Sequence, residues 1–172
     1  GLAADGKRLA DGNGFKAGGY GSWKAAQLPQ PVPRHVIRFC VASQNPAAGF
    51  YANHHPGGCD WIHNSAFANG TNFSFLGRLA DNLTDIPGTE HKILYNISFR
   101  SRRAVAHMNA EQCQLEGNLF EGERLPSDSD FAGTDPAQLS LPRKPDGSLP
   151  DISFLHPSPA SRLRKAGAFP ER

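Results

Sequence analysis

Between Gly14 and Phe120 the chain alternates short apolar runs with turns, and the runs repeat. Val36-Ile37-Arg38-Phe39-Cys40-Val41-Ala42 can be laid over Trp61-Ile62-His63-Asn64-Ser65-Ala66-Phe67. Both lie over Ile93-Leu94-Tyr95-Asn96-Ile97-Ser98-Phe99, and Gln114-Leu115-Glu116-Gly117-Asn118-Leu119-Phe120 is a weaker fourth copy. Taking Phe39, Asn64, Asn96 and Asn118 as one column gives steps of 25, 32 and 22 residues. A second column runs through Gly14-Phe15-Lys16, Gly49-Phe50-Tyr51 and Asn72-Phe73-Ser74, with first steps of 35 and 23 and Ala104-Val105-Ala106 as a loose fourth member.

Steps of this size, with two short strands per repeat and variable turns, predict a solenoid in which each coil buries its apolar face only against its neighbours. Period-two alternation puts Phe15, Phe50 and Phe73 inward and Lys16, Tyr51 and Ser74 outward. An internal asparagine can pair its amide with the coils above and below. The pattern therefore predicts an all-β parallel β-helix of about four coils over residues 1–120. Paired-helix solenoids do not fit the Asn-Gly, Pro-Gly and β-branched content. Three excursions join the coils: Tyr20–Arg34, whose Pro29, Pro31 and Pro33 exclude a central strand; a tight turn at Pro56-Gly57-Gly58; and a polar loop over Gly77–Glu90. After Phe120 the repeat stops. Residues 121–172 are rich in proline, with one apolar island at Leu149–Leu155, and are expected to form an extended tail that packs on or caps the coils, or a linker.

Composition changes this picture little. The chain has 172 residues, 38% hydrophobic and 20% charged, which is enough for one domain with a sizeable core. Gly 18 and Pro 14 suit short strands and many turns. A net charge of +2 without a Lys/Arg block argues against a nucleic-acid partner. No run approaches the ~18 apolar residues of a membrane span, so no membrane partner is expected. Cys40, Cys59 and Cys113 form no pair spacing and read as core residues rather than a disulfide framework. The chain begins with Gly1, not Met, and in mid-pattern, which suggests a processed chain or a fragment without its first coils.

The stretch Asp11-Gly12-Asn13-Gly14-Phe15-Lys16-Ala17-Gly18-Gly19 sets one lysine among short side chains, reachable from a large ligand. Together with His35-Val36-Ile37-Arg38 through Gly49-Phe50, and with Asn64-Ser65-Ala66-Phe67-Ala68-Asn69-Gly70-Thr71-Asn72-Phe73, it resembles the pectate lyases of polysaccharide lyase family 9. The tail from Pro142 to Ile152 resembles the C-terminal segment of such secreted proteins. The resemblance covers the later coils and tail of a protein about twice as long. It implies a right-handed parallel β-helix, secreted, that cleaves polygalacturonate by β-elimination with Lys16 as general base. It also implies Ca2+, held by aspartates on coils that this chain lacks, so no residue here is expected to bind metal. The alternative is an inactive β-helix fragment that binds acidic polysaccharide or serves as a structural module.

β-Elimination beside a uronate needs a base for the C5 proton and a cation against the C6 carboxylate. Tyr51 and Asn53, one coil on from Lys16, are candidates to stack on or hydrogen-bond a sugar ring, and Arg78 to pair with a carboxylate. Arg78 and Lys92 otherwise read as solvated charges. His55, Cys59 and His63, beside His54, spell H-x3-C-x3-H. Cys59 and His63 straddle a strand start, however, and period two would leave them roughly 13 Å apart, too far for one zinc. No nucleophile elbow or local triad signature is present.

Overall fold

The computed structural model describes residues 5–7, 10–120 and 125–165. Residues 1–4 and 8–9 of the polar opening, and 121–124 and 166–172 of the tail, lie outside the described residues. The chain divides into two compact units, Gly1–Leu125 and Pro126–Arg172.

The first unit is a parallel β-helix. Its strands in chain order are β1 (Phe15–Lys16); β2 (Val36–Arg38), β3 (Val41–Ser43) and β4 (Ala48–Tyr51); β5 (Asp60–Ile62), β6 (Ser65–Phe67) and β7 (Thr71–Ser74); β8 (Leu76–Arg78) and β9 (Asp85–Pro87); β10 (Lys92–Leu94), β11 (Ile97–Phe99) and β12 (Arg103–Ala106); and β13 (Gln114–Glu116). Three parallel sheets result, ordered β1-β4-β7-β12, β13-β10-β5-β2 and β11-β6-β3. Each complete coil therefore has three strands, not the two expected from the pattern. The reason is a bend inside each apolar run. Phe39, His63, Tyr95 and Gly117 stand at the same place in successive coils, all with φ between 51° and 62°. Three of the four are not glycine, so the sequence hides the bend.

That bend also corrects the first column. Ile37 pairs with Trp61, Trp61 with Ile93, and Ile93 with Leu115. The windows beginning at Val36 and at Gln114 are thus each one residue early. Cys40, not Phe39, precedes Asn64 in the ladder, and its backbone N–H donates to Asn64 Oδ1 at 3.1 Å. Phe39 instead points outward, 64% exposed. It stacks on His63 at 5.5 Å, and His63 stacks on Tyr95 at 5.1 Å.

The second column pairs as expected, Phe15 with Phe50 and Phe50 with Phe73, each ring stacked 5.0 Å from the next. Val105 completes it opposite Phe73. Phe50, Trp61, Phe73, Phe75 and Ile93 are fully buried and form the centre of the core. Phe15 is partly exposed because β1 is the edge strand of its sheet. The expected polar loop at Gly77–Glu90 is instead built on an antiparallel hairpin, with Leu76 opposite Pro87 and Arg78 opposite Asp85. Asp81 closes its tip by accepting from the backbone N–H groups of Leu83 and Thr84 and from the Thr84 hydroxyl.

His91 is the buried titratable group that ties the third and fourth coils together. Its Nδ1 accepts from the Cys59 backbone N–H at 2.9 Å and from Trp61 Nε1 at 3.3 Å. Burial lowers the imidazole to about 4 from 6.5, and the positive neighbours Arg34 and His55 push the same way. The unfolded chain takes up this proton below pH 6.5, while the folded chain resists it down to about 4. Stability is therefore full above 6.5 and falls with added acid, by about 3 kcal/mol for this group. Urea unfolding in chelating buffer at a series of pH values checks this. His91→Gln, which keeps an acceptor, is expected to flatten most of the decline. Equal slopes in the two proteins would refute the assignment, since burial also lowers His55 and His63 and these would then carry the effect.

The second unit has little regular structure. Tight 3-10 turns at Asp128–Asp130, Pro136–Ser140 and Arg162–Lys165 are joined by two isolated bridges, Phe131 to Pro157 and Gly133 to Phe154. Phe131, Phe154, Leu155 and Leu163 are buried. Asp130, also buried, accepts from the Ser127 N–H, the Ser127 hydroxyl and the Ser161 hydroxyl.

Candidate functional site

Glycines set the position of Lys16. A Cβ on Gly14 would lie 2.6 Å from the Gly49 carbonyl, and one on Gly18 would lie 2.2 Å from the Asn53 carbonyl. Only glycine lets β1 press this closely against the next coil on both sides of the lysine. Lys16 then stands opposite Tyr51, and Tyr51 opposite Ser74, on one face of the sheet. The Lys16 side chain is 41% exposed, and its Nζ meets Asp11 Oδ2 at 2.8 Å.

An open groove of about 390 Å³ lies along this face, lined by Asp11, Asn13, Tyr51, Thr71, Ser74, Arg102 and His107. Asp11 thus links the groove to Lys16. Ser74 Oγ lies 3.3 Å from His107 Nδ1. The Tyr51 phenol is pushed up, first by burial and then by the Asp85 and Asp11 carboxylates, so it stays a proton donor over the neutral range. Arg102 is exposed and has no ion pair or hydrogen bond among the described residues. It is the guanidinium in the groove able to meet an incoming carboxylate.

Of the four residues singled out from sequence, the structure brings Lys16 and Tyr51 together and sets the other two apart. Asn53 does not line the groove. It sits at a bend with φ 53°, and its backbone carbonyl backs Gly18. Arg78 is committed elsewhere: Nε donates to Asp85 Oδ1 at 2.9 Å, and Nη1 donates to the Gly21 carbonyl at 2.6 Å and the Asn82 carbonyl at 3.1 Å. With its side chain largely buried, it holds the excursion after β1 against the hairpin and is not available to a sugar. Arg78→Ala is accordingly expected to cost about 1–2 kcal/mol. It should speed hydrogen exchange around Gly21–Trp23. Exchange there unchanged from the parent would refute this structural role.

Arg102 and His107 were missed by the sequence reading. The signal was there, since they flank the loose Ala104–Ala106 copy of the second column, but that copy has no aromatic to draw attention to it. All three cysteines are free thiols, with Cys59 buried and Cys40 and Cys113 half-buried. Among the described residues no three carboxylates converge. The one group of three potential metal-binding side chains that come together is His35, His55 and Cys59.

Known proteins match both the sequence and the fold. The profile described as Pel9A-like, right handed beta helix region, matches residues 2–96. Pectate lyase L of Dickeya dadantii (strain 3937) is 31% identical over 157 residues, 91% of this chain and 32% of that protein. A solved structure of a rhamnogalacturonan lyase superposes with a TM-score of 0.79 at 34% identity, over 89% of this chain and 38% of that one. The crystal structure of pectate lyase Pel9A superposes with a TM-score of 0.72 at 28% identity, over 96% and 36%. The chain spans about a third of the length of the relatives it matches.

Proposed function

This chain belongs to the Pel9A-like right-handed β-helix family, and from that premise we propose that its groove binds an acidic polysaccharide of the polygalacturonate class and that Lys16 is the base of a β-elimination. The observation that supports this best is the placement of Lys16 and Tyr51 side by side on the strand face that carries the groove. Arg102, unpaired among the described residues, stands among the groove residues. A uronate seated there would present its carboxylate to Arg102 and its ring to Tyr51. The Lys16 amine takes the C5 proton, the C4–O bond breaks, and a C4=C5 double bond forms. The departing oxygen takes its proton from solvent. A polymer of this size does not cross a membrane, so the reading places the protein outside the cell.

Calcium is a hard ion that takes 6–8 oxygen ligands. Among the described residues Asp11 is the one carboxylate that lines the groove, and it already pairs with Lys16. The described residues therefore do not fit a calcium site, and any calcium the reaction uses would have to be held by other residues. The Lys16–Asp11 ion pair favours the second reading, a β-helix that binds the polymer without cleaving it. The two are separated by incubating the chain with polygalacturonate, with and without calcium. Ultraviolet absorbance reports the unsaturated product, and gel retardation in a polygalacturonate matrix reports binding. Cleavage supports the lyase, retardation without cleavage supports the binder, and neither would overturn both.

A further inference from the structure

We propose that His35, His55 and Cys59 form a zinc-binding site that clamps the excursion following β1 to the turn between β4 and β5. The three side chains come from separate segments. His35 immediately precedes β2, His55 follows the bend at Asn53-His54, and Cys59 immediately precedes β5. One ligand atom from each lies within 4.8 Å of the others. Tetrahedral zinc at its usual bond lengths sets such donors about 3.3–3.7 Å apart, so a small inward movement of the side chains completes the site. The turn Pro56-Gly57-Gly58 is what makes His55 and Cys59 neighbours. A Cβ on Gly58 would lie 1.9 Å from the Glu90 carbonyl, so only glycine lets the chain pass there.

The hydrogen bonding around the two imidazoles is what a metal ligand needs. His35 Nδ1 is against the Ala17 carbonyl and His55 Nδ1 against the Gly57 carbonyl. With Nδ1–H donated to the Ala17 carbonyl, His35 is held in the tautomer that leaves the Nε2 lone pair free. His55 Nδ1 faces both the carbonyl and the N–H of Gly57, so that turn accommodates either tautomer. His55 is 2% exposed, and its Nε2 is buried with no hydrogen-bond partner among the described residues. A polar atom left in that state destabilises the fold unless something binds it. Cys59 is fully buried, and the surroundings push its thiol up to about 11, chiefly by desolvation. A bound cation would reverse that balance and take the thiolate. Two imidazoles and a thiolate suit zinc and not calcium. Three protein ligands would leave a fourth position to water or another donor, and the Tyr20 ring packs edge-on to His55 at 5.4 Å.

The site is separate from the groove but connected to it. His35 holds the carbonyl of Ala17, the residue after Lys16, so metal at His35 would stiffen the strand end that carries the lysine. This inference does not depend on any lyase activity.

Its test uses the purified full chain, stripped with chelator and titrated with zinc or cobalt. The expected result is one equivalent bound, a cobalt spectrum with thiolate charge transfer and tetrahedral visible bands, and a higher melting temperature that chelator reverses. Cys59→Ser should lose the charge-transfer band. His35→Gln, at a half-exposed position, should weaken zinc binding by at least about a hundredfold, and it carries the test if the cysteine variant fails to fold. His54→Gln, next to His55 but outside the cluster, should bind as the parent does. Absence of stoichiometric zinc, cobalt bound without thiolate absorption, or parent affinity in folded His35→Gln would each overturn the proposal.

Discussion

Asn96→Leu is expected to destabilise the β-helix by about 3–5 kcal/mol, although the two side chains are nearly the same size. Asn96 is fully buried. Its Oδ1 accepts from the Asn64 backbone N–H and from Asn64 Nδ2, both at 3.0 Å. Its Nδ2 donates to the Trp61 carbonyl at 2.8 Å and to Asn118 Oδ1 at 3.0 Å. Leucine removes all four bonds and leaves the polar groups of two neighbouring coils short of a partner in a dry interior, where each such group costs about 1–3 kcal/mol. Partial relaxation keeps the total below the simple sum. The same substitution at Asn118 is a control, because that residue ends the ladder and is half-exposed. It should cost about 1–2 kcal/mol. Urea unfolding of the two variants beside the parent measures both. A penalty at Asn96 no larger than that at Asn118 would show that the ladder adds nothing cooperative.

This ladder also marks how much of the fold was legible in the sequence. Asn64, Asn96 and Asn118 could be aligned because an asparagine among apolar residues stands out, and the stacked Phe15, Phe50 and Phe73 could be aligned for the opposite reason. What the pattern did not carry was the bend between them. In a glycine-marked turn the left-handed residue announces itself. Here Phe39, His63 and Tyr95 occupy it, each at a conformational cost of about 1 kcal/mol or more. Their side chains stack on one another outside the coil, and the asparagines that follow His63 and Tyr95 accept from the backbone N–H groups of Cys40 and Asn64. Without that knowledge Phe39 reads as a core residue, and the first window slips by one.

The site divides along the same line. Lys16 and Tyr51 could be placed on one face because they sit next to core aromatics on strands, so their direction follows from alternation. Arg78 was misread because its partners, Gly21 and Asp85, belong to an excursion and a hairpin whose docking no local pattern encodes. His35 was passed over for the same reason. The H-x3-C-x3-H spacing directed attention to His63, which lies beyond the start of β5 in the outward stack with Phe39 and Tyr95. The histidine that meets His55 and Cys59 lies twenty residues upstream of His55, brought there by the stacking of the coils.

On the lyase reading proposed above, Lys16→Ala is expected to lower polygalacturonate cleavage by about 10²–10⁴-fold, the usual contribution of a positioned base, while binding to the polymer stays within a few-fold. Only Lys16→Arg separates base from charge. Arginine keeps a cation beside Asp11 and fills the same space, but it does not give up its proton in a protein. If Lys16 merely attracts uronates, Lys16→Arg should retain most of the rate; if it takes the C5 proton, arginine should be as inactive as alanine. Asp11 supplies a second, opposite-signed check. At 2.8 Å it holds Nζ in an ion pair that must open, with the ammonium proton passed to solvent, before Nζ can act on the substrate. Asp11→Asn weakens that hold without removing bulk from the groove, so the rate at neutral pH should rise. A fall would mean that Asp11 serves the reaction itself, as a substrate contact or as a ligand to an added cation. Activity that survives Lys16→Ala would end the base assignment outright and leave Tyr51, Arg102 and His107 as the groove's remaining chemistry.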